Sequence, residues 1–155
     1  MSEQPQALQQ HFDIQKVYLK DVSLETPNSP TIFTEQWQPE TEVRLETNAT
    51  PLTEDLFEVV LTVTVTAKLG ERTAYLAEVQ QGGLFTLRGF DDPQMGHMLH
   101  AFCPNILFPF AREELGSLIG KGGFPALLLN PINFDGLYMQ RLQQQQAPMV
   151  PDVSH

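Results

Sequence analysis

His97, His100 and Cys103 recur every three residues, and imidazole and thiolate are groups that bind zinc and related metals. On a helix this spacing places the three side chains on one face. Only three ligands are present, however, and no carboxylate at matching spacing completes the set of four typical of a structural zinc site. A buried cysteine beside aromatic residues usually behaves as a small hydrophobic residue. We therefore expect no metal here.

The same residues give a weak case for nucleophilic catalysis. A Cys103 nucleophile activated by His100 lacks a third group to orient the base, and Pro104 removes an amide that would lower the thiol pKa. The segment 116–121 resembles a phosphate-binding loop, but it has three residues between its glycines instead of four, and Gly122 replaces the required Ser or Thr. We expect the protein not to be an enzyme and to need no cofactor.

The charge balance excludes other classes of partner. Nineteen acidic residues against nine Lys and Arg give a net charge of −10, the wrong sign for nucleic acid or anionic lipid. The longest apolar stretches fall far short of the ~20 residues of a transmembrane helix. The start of the chain lacks the basic and apolar regions of a secretory signal, and a single cysteine suits a reducing compartment. We expect a cytoplasmic protein that does not insert into membranes.

The elements that position these residues are segregated along the chain. Strand-like alternation dominates the first ninety residues, and helical spacing appears only afterwards. This order predicts an α+β fold rather than repeated βαβ units. With 155 residues, 41% of them hydrophobic, the chain fits one domain. We place it at residues 12–145, between a flexible N terminus (1–11) and a mobile C-terminal tail (146–155).

The clearest strands form a predicted hairpin. Residues 58–68 alternate apolar and polar side chains with the exception of Val60, so one face is buried and one is wet. Leu69-Gly70 then offers a turn into a return strand at 73–87. Within that return strand, Gly82 and Gly83 interrupt the alternation and predict a bulge or a bend.

Two further strands precede the hairpin in the sequence. Residues 12–21 switch the parity of their apolar side chains after Ile14, which predicts either apolar contacts on both faces or a bulge. A shorter strand is predicted at 42–46, followed by a turn at 48–50. Between the two lies a Pro-rich crossover loop at 25–40.

Helices are predicted in the second half. Asp91 is a good N-terminal cap before a proline, and Asn133 caps the last helix. Pro104 and Pro109 predict a break or kink in the intervening segment, which continues through 112–119 to a glycine-rich end. A sheet with helices on one side leaves apolar surface exposed, so self-association is expected.

Six short segments are spaced in order along residues 12–145: Trp37–Glu40, Val63–Ala67, Glu78–Gly83, Cys103–Arg112, Gly123–Pro125 and Pro131–Asp135. Together they resemble the SecB family of protein-export chaperones. The resemblance implies a four-stranded antiparallel sheet with helices packed on one face, assembled as a homotetramer that is a dimer of dimers. It also implies ATP-independent binding of unfolded precursor proteins and their delivery to the SecA ATPase.

Two sets of site residues follow from this resemblance. The docking face for the basic C-terminal zinc-binding region of SecA corresponds to Asp21, Glu25, Leu76 and Glu78. The client-binding groove corresponds to Trp37, Val43, Leu45, Phe134, Tyr138 and Leu142. From the residues alone, the first set could be an ordinary solvated face and the second could be ordinary core. Trp37 could equally pin its loop onto the core.

Two other functions stay open on the sequence. One is an oligomeric α+β protein that binds a small ligand or acts as a scaffold, with no role for unfolded chains. The other is a metal-dependent enzyme at His97, His100 and Cys103.

Overall fold

The computed structural model describes residues 9–146, which form one antiparallel sheet with helices against one of its faces. The strand order is β1-β4-β3-β2, so the predicted α+β class and four-stranded sheet are confirmed. The expected flexible N terminus and mobile tail fall mainly on residues 1–8 and 147–155, outside the described residues. The elements are β1 (His11–Glu25), a 3-10 helix (Thr31–Thr34), β2 (Glu40–Pro51), β3 (Leu56–Leu69), β4 (Arg72–Arg88), α1 (Asp92–His97), a π-helical turn (Met98–Phe102), α2 (Cys103–Lys121) and α3 (Phe134–Gln146).

The hairpin of β3 and β4 forms the centre of the sheet. Its inward valines, such as Val63 and Val79, are fully buried, and the threonines of the other parity are only half-buried. The turn uses Gly70 at a φ of 62°, which glycine adopts without steric cost. Gly82 and Gly83 stay in register with both neighbouring strands. Of the two predicted alternatives, a bulge or a bend, the bulge is therefore wrong.

Strand β1 contains the irregularity that its sequence allowed as one of two alternatives. Register shifts lie between Ile14 and Lys16 and between Leu19 and Asp21. Each shift adds one residue to β1 and returns the following apolar side chains to the face that meets the helices. The bulge alternative is confirmed.

Strand β2 is longer than its sequence predicts. It pairs with β3 without interruption from Glu40 to Pro51, and the predicted turn at 48–50 lies inside it. That turn prediction is wrong because Asn and Thr, which favour turns locally, here occupy an edge strand that is paired on one side only.

The helical segment starts as predicted but does not break at its prolines. The Asp91 carboxylate accepts a backbone N–H of the first turn of α1 at 2.8 Å. The π-helical turn runs directly into α2, which has Pro104 as its second residue and continues through Pro109 to Lys121. Of the two predicted alternatives, a break or a kink, the break is therefore wrong.

The core lies between the inner face of the sheet and α2. Packing recurs every four residues along this helix, at the buried residues Leu107, Ala111, Leu115 and Ile119. These side chains contact β4 and β3, whereas α3 packs against the π-helical turn. Among residues 9–146, no helix is long and apolar enough to cross a membrane.

Candidate functional site

The sheet face opposite the helices brings the four predicted SecA-binding residues together. In the β1–β4 register, Glu25 lies opposite Leu76, and Asp21 lies opposite Gln80. Glu78 lies between these two pairs on β4. Directly opposed residues of antiparallel strands share a face, so Asp21, Glu25, Leu76 and Glu78 form one surface, here called the outer acidic face.

The carboxylates of this face are not neutralised by neighbours. Within the described part of the chain, no cation lies within ion-pair distance of Asp21, Glu25 or Glu78. On β3, Thr64 and Thr66 lie opposite β4 residues of the face and add no charge. The outer acidic face therefore presents uncompensated negative charge, which is complementary to a basic partner.

A polar cluster beside this face ties β1 to the centre of the sheet. The Tyr18 hydroxyl donates to Glu58 Oε2, and Lys20 Nζ lies 2.9 Å from Glu58 Oε1. The hydrogen bond from Lys20, with that from Tyr18, lowers the pKa of Glu58. Burial, followed by the hydrogen bond to Glu58, raises the pKa of Tyr18 to about 12. This cluster was not predicted from the sequence. The one residue that could have indicated it is Gly82, because a Cβ at this position would collide with the Tyr18 ring.

On the other side of the sheet, three of the six predicted client-binding residues line one cavity. Leu45 of β2 and Phe134 and Tyr138 of α3 border a space of about 40 Å³. Phe134 packs edge-on against Phe108 of α2 at 5.8 Å, which fixes the first turn of α3. We call this cavity the inner groove; its other lining residues are Thr47, His100, Leu137 and Arg141.

Two more predicted residues extend the apolar surface of the groove. Val43 lies two residues before Leu45 on β2, on the same face, and is 39% exposed. Leu142 lies four residues after Tyr138, one helical turn further along α3, and is half-buried. The apolar surface thus continues along both elements that border the cavity.

Trp37 is not among the residues that line the inner groove. Its ring packs against Tyr75 at 6.3 Å and Phe124 at 5.5 Å. Phe124 also contacts Phe33, whose side chain is 48% exposed. Trp37 therefore belongs to a second, aromatic cluster that holds the crossover loop onto the core.

The backbone of β2 is open along the edge of the sheet. The Leu52 N–H donates to the Leu56 carbonyl at 2.8 Å, which makes this a hydrogen-bonded pair. Such pairs alternate along an antiparallel ladder, so the odd-numbered residues of β2 direct their N–H and C=O groups away from β3. Pro51, which has no N–H, occupies one of these odd positions. The free edge groups belong to Thr41, Val43, Leu45, Thr47 and Ala49.

The triplet of His97, His100 and Cys103 has different surroundings at each residue. Burial raises the pKa of the Cys103 thiol to about 12, so the thiol is neutral and a poor nucleophile. His97 Nε2 lies 2.5 Å from Asp135 Oδ1, and His100 stacks on Tyr138. Among residues 9–146, no three His, Cys, Asp or Glu side chains are grouped to hold a metal ion. The geometry supports neither a metal site nor a cysteine nucleophile here.

Comparison with known proteins places this geometry in a family. The family model described as preprotein translocase subunit SecB matches residues 5–145. A protein-export protein SecB from Methylococcus capsulatus is 54% identical over 155 residues, the whole of both chains. The chain belongs to the SecB family. This membership confirms the resemblance seen in the sequence motifs and, with it, the function of a protein-export chaperone.

The SecB fold is also found among solved structures. A SecB-like chaperone from Mycobacterium tuberculosis, in complex with a peptide from an antitoxin, superposes with a TM-score of 0.60 at 17% sequence identity. The match covers 78% of this chain and 90% of that chain. At this level of identity the likeness concerns the fold, and it confirms the predicted SecB-like architecture.

Proposed function

We propose that this SecB chain binds unfolded precursor proteins in the cytoplasm without ATP and passes them to the SecA ATPase. The inner groove is the observation that carries the proposal, because its apolar side chains lie beside a strand edge with free backbone groups. An unfolded chain exposes both apolar side chains and unpaired backbone, which such a surface can bind together. Many weak contacts give collective affinity, and each can release separately without nucleotide.

The outer acidic face is the proposed docking site for the basic zinc-binding region at the C terminus of SecA. Asp21, Glu25 and Glu78 supply unpaired negative charge around Leu76, the apolar residue of the set. Attraction between opposite charges raises the encounter rate and weakens with salt. Because this face and the inner groove lie on opposite sides of the sheet, client and SecA can bind at the same time.

We further propose that the chain assembles as a homotetramer, a dimer of dimers. Phe102, the last residue of the π-helical turn, and Phe110 of α2 are 40% and 49% exposed. Phe102 packs against Phe12 of β1 at 5.1 Å, so the π-helical turn adjoins the β1 edge. Ile14 and Leu19 are also exposed on β1. A monomer rarely leaves such a continuous apolar surface in water, and closed symmetry is its usual cover.

The chaperone activity is tested by diluting a denatured precursor protein into buffer and recording light scattering without ATP. The chain should suppress aggregation, and the double variant Tyr138→Ala, Leu142→Ala should suppress it less. The matched control is Met139→Ala, which truncates a 53% exposed side chain of the same helix. If the unaltered chain fails to suppress aggregation, an oligomeric ligand-binding or scaffold protein becomes the better account. If the double variant performs like the control, the client site lies elsewhere.

A further inference from the structure

The contacts that hold α3 to the end of α1 and to the π-helical turn include two histidines in different surroundings. His97 Nε2 lies 2.5 Å from Asp135 Oδ1 at the first turn of α3. One turn further along, the His100 ring stacks on Tyr138, with centroids 6.2 Å apart and planes 13° apart. His97 contacts a carboxylate, whereas His100 contacts the neutral ring of Tyr138. The two histidines therefore have neighbours of different charge.

The site of His100 suits only a neutral imidazole. Its Nδ1 is buried and has no hydrogen-bond partner among the described residues. From α3, Arg141 borders the same cavity with a positive charge and Tyr138 adds a neutral phenol, while β2 contributes the uncharged Leu45 and Thr47. Burial, followed by the charge of Arg141, lowers the pKa of His100. A proton on His100 would thus be held without an acceptor and beside a cation.

The first turn of α3 is held by contacts that do not involve His100. Its Asp135 carboxylate lies in contact with His97. The same turn is fixed by the Phe134–Phe108 contact and by Asn133, whose Oδ1 accepts the Gly136 N–H at 3.0 Å. A proton on His100 therefore disfavours only the end of α3 that carries Arg141.

We propose that α3 is a pH-responsive arm: on acidification its C-terminal half leaves the π-helical turn at His100, while its first turn stays anchored, and the inner groove widens. Docking is at full strength above about pH 6.5, where histidine is ordinarily neutral, and weakens as the pH falls through the lowered pKa of His100. The identification of the widened groove as the client site rests on the proposed function. The movement of α3 does not depend on that function.

The movement can be followed with a fluorophore and a quencher on opposite sides of the groove. Gln145→Cys places a thiol on α3 for bimane labelling, and the buried, neutral Cys103 does not compete. Thr47→Trp places a quencher on β2 in the wall of the groove. The labelled chain without Trp at 47 gives the unquenched reference at each pH. We expect quenching at pH 8 and a loss of at least about half of it at pH 5.5.

Two non-titrating variants, His100→Phe and His100→Gln, should keep the quenching at both pH values, and His97→Gln should still lose it in acid. Circular dichroism identifies a His100 variant that has not folded, and the remaining His100 variant then decides the test. The inference is overturned if quenching is equal at pH 8 and 5.5, is absent at pH 8, or is lost in acid by both His100 variants. Because no client is present, none of these results bears on the proposed chaperone function.

Discussion

At the scale of single residues, the carboxylates of the outer sheet face differ in whether a cationic side chain forms an ion pair with them. Among residues 9–146 Glu78 forms no ion pair, whereas Glu42, on the same face, pairs with Arg44 at 3.2 Å. We expect Glu78→Lys to weaken binding of the SecA zinc-binding region roughly tenfold or more at low salt, and Glu42→Lys to weaken it less than about threefold. Calorimetry at two ionic strengths measures both. Equal losses would mean that overall charge, not this face, governs docking.

The Tyr18–Glu58–Lys20 cluster predicts a pH-dependent contribution to stability. The pKa of Glu58 is lowered in the folded chain, so its charged form stabilises the fold above the ordinary carboxyl pKa. That stabilisation is lost as the pH falls through the lowered value. Glu58→Gln should therefore cost about 1 kcal/mol in urea unfolding at pH 7 and much less at pH 3. The exposed Glu71→Gln is the matched control, and a cost that did not change with pH would contradict the assignment.

At the scale of elements, the open edge of β2 makes a separate prediction about client binding. The Val43 N–H points to the edge, so proline there removes a free donor without breaking the β2–β3 ladder. Val43→Ala removes the side chain but keeps the N–H. We expect Val43→Pro to bind a labelled unfolded precursor about threefold or more weakly than Val43→Ala, as measured by fluorescence anisotropy. Equal affinities would show that the edge backbone takes no part.

The elements also show what the sequence could and could not predict. The β3–β4 hairpin was predictable because apolar and polar residues alternate along most of β3. The second half of β2 was not predictable, because the side chains of an edge strand can stay in water and so need not be apolar. Pro109 did not end α2, since the buried residues of that helix outweigh its penalty of roughly 3 kcal/mol.

The sites were predictable to different degrees. The family motifs indicated both residue sets, and the parity of β4 put Leu76 and Glu78 together. Trp37 was grouped with the groove but packs on Tyr75 and Phe124, because its long loop has no period that fixes its position. The His100–Tyr138 stack joins residues far apart in sequence, and no local pattern reports such a contact.

At the scale of the whole molecule, the exposed phenylalanines of the π-helical turn and α2 predict the assembly. The chain should elute with the mass of four 17.5 kDa subunits in size-exclusion chromatography with light scattering. Phe102→Glu with Phe110→Glu should reduce that mass, because charge is then buried in an apolar contact. Met139→Glu, at a similarly exposed position on α3, should leave it unchanged. A monomer for the unaltered chain would contradict the proposed tetramer.

The central claim is that an unfolded chain occupies the inner groove, and photo-crosslinking tests it most directly. A photoreactive residue at Leu137, in the groove wall, is compared with one at Thr66, on the opposite face of the sheet. Each variant is mixed with a denatured precursor and illuminated. The account predicts strong crosslinking from position 137 and little from position 66. Equal crosslinking from both positions, or none from 137, would contradict it.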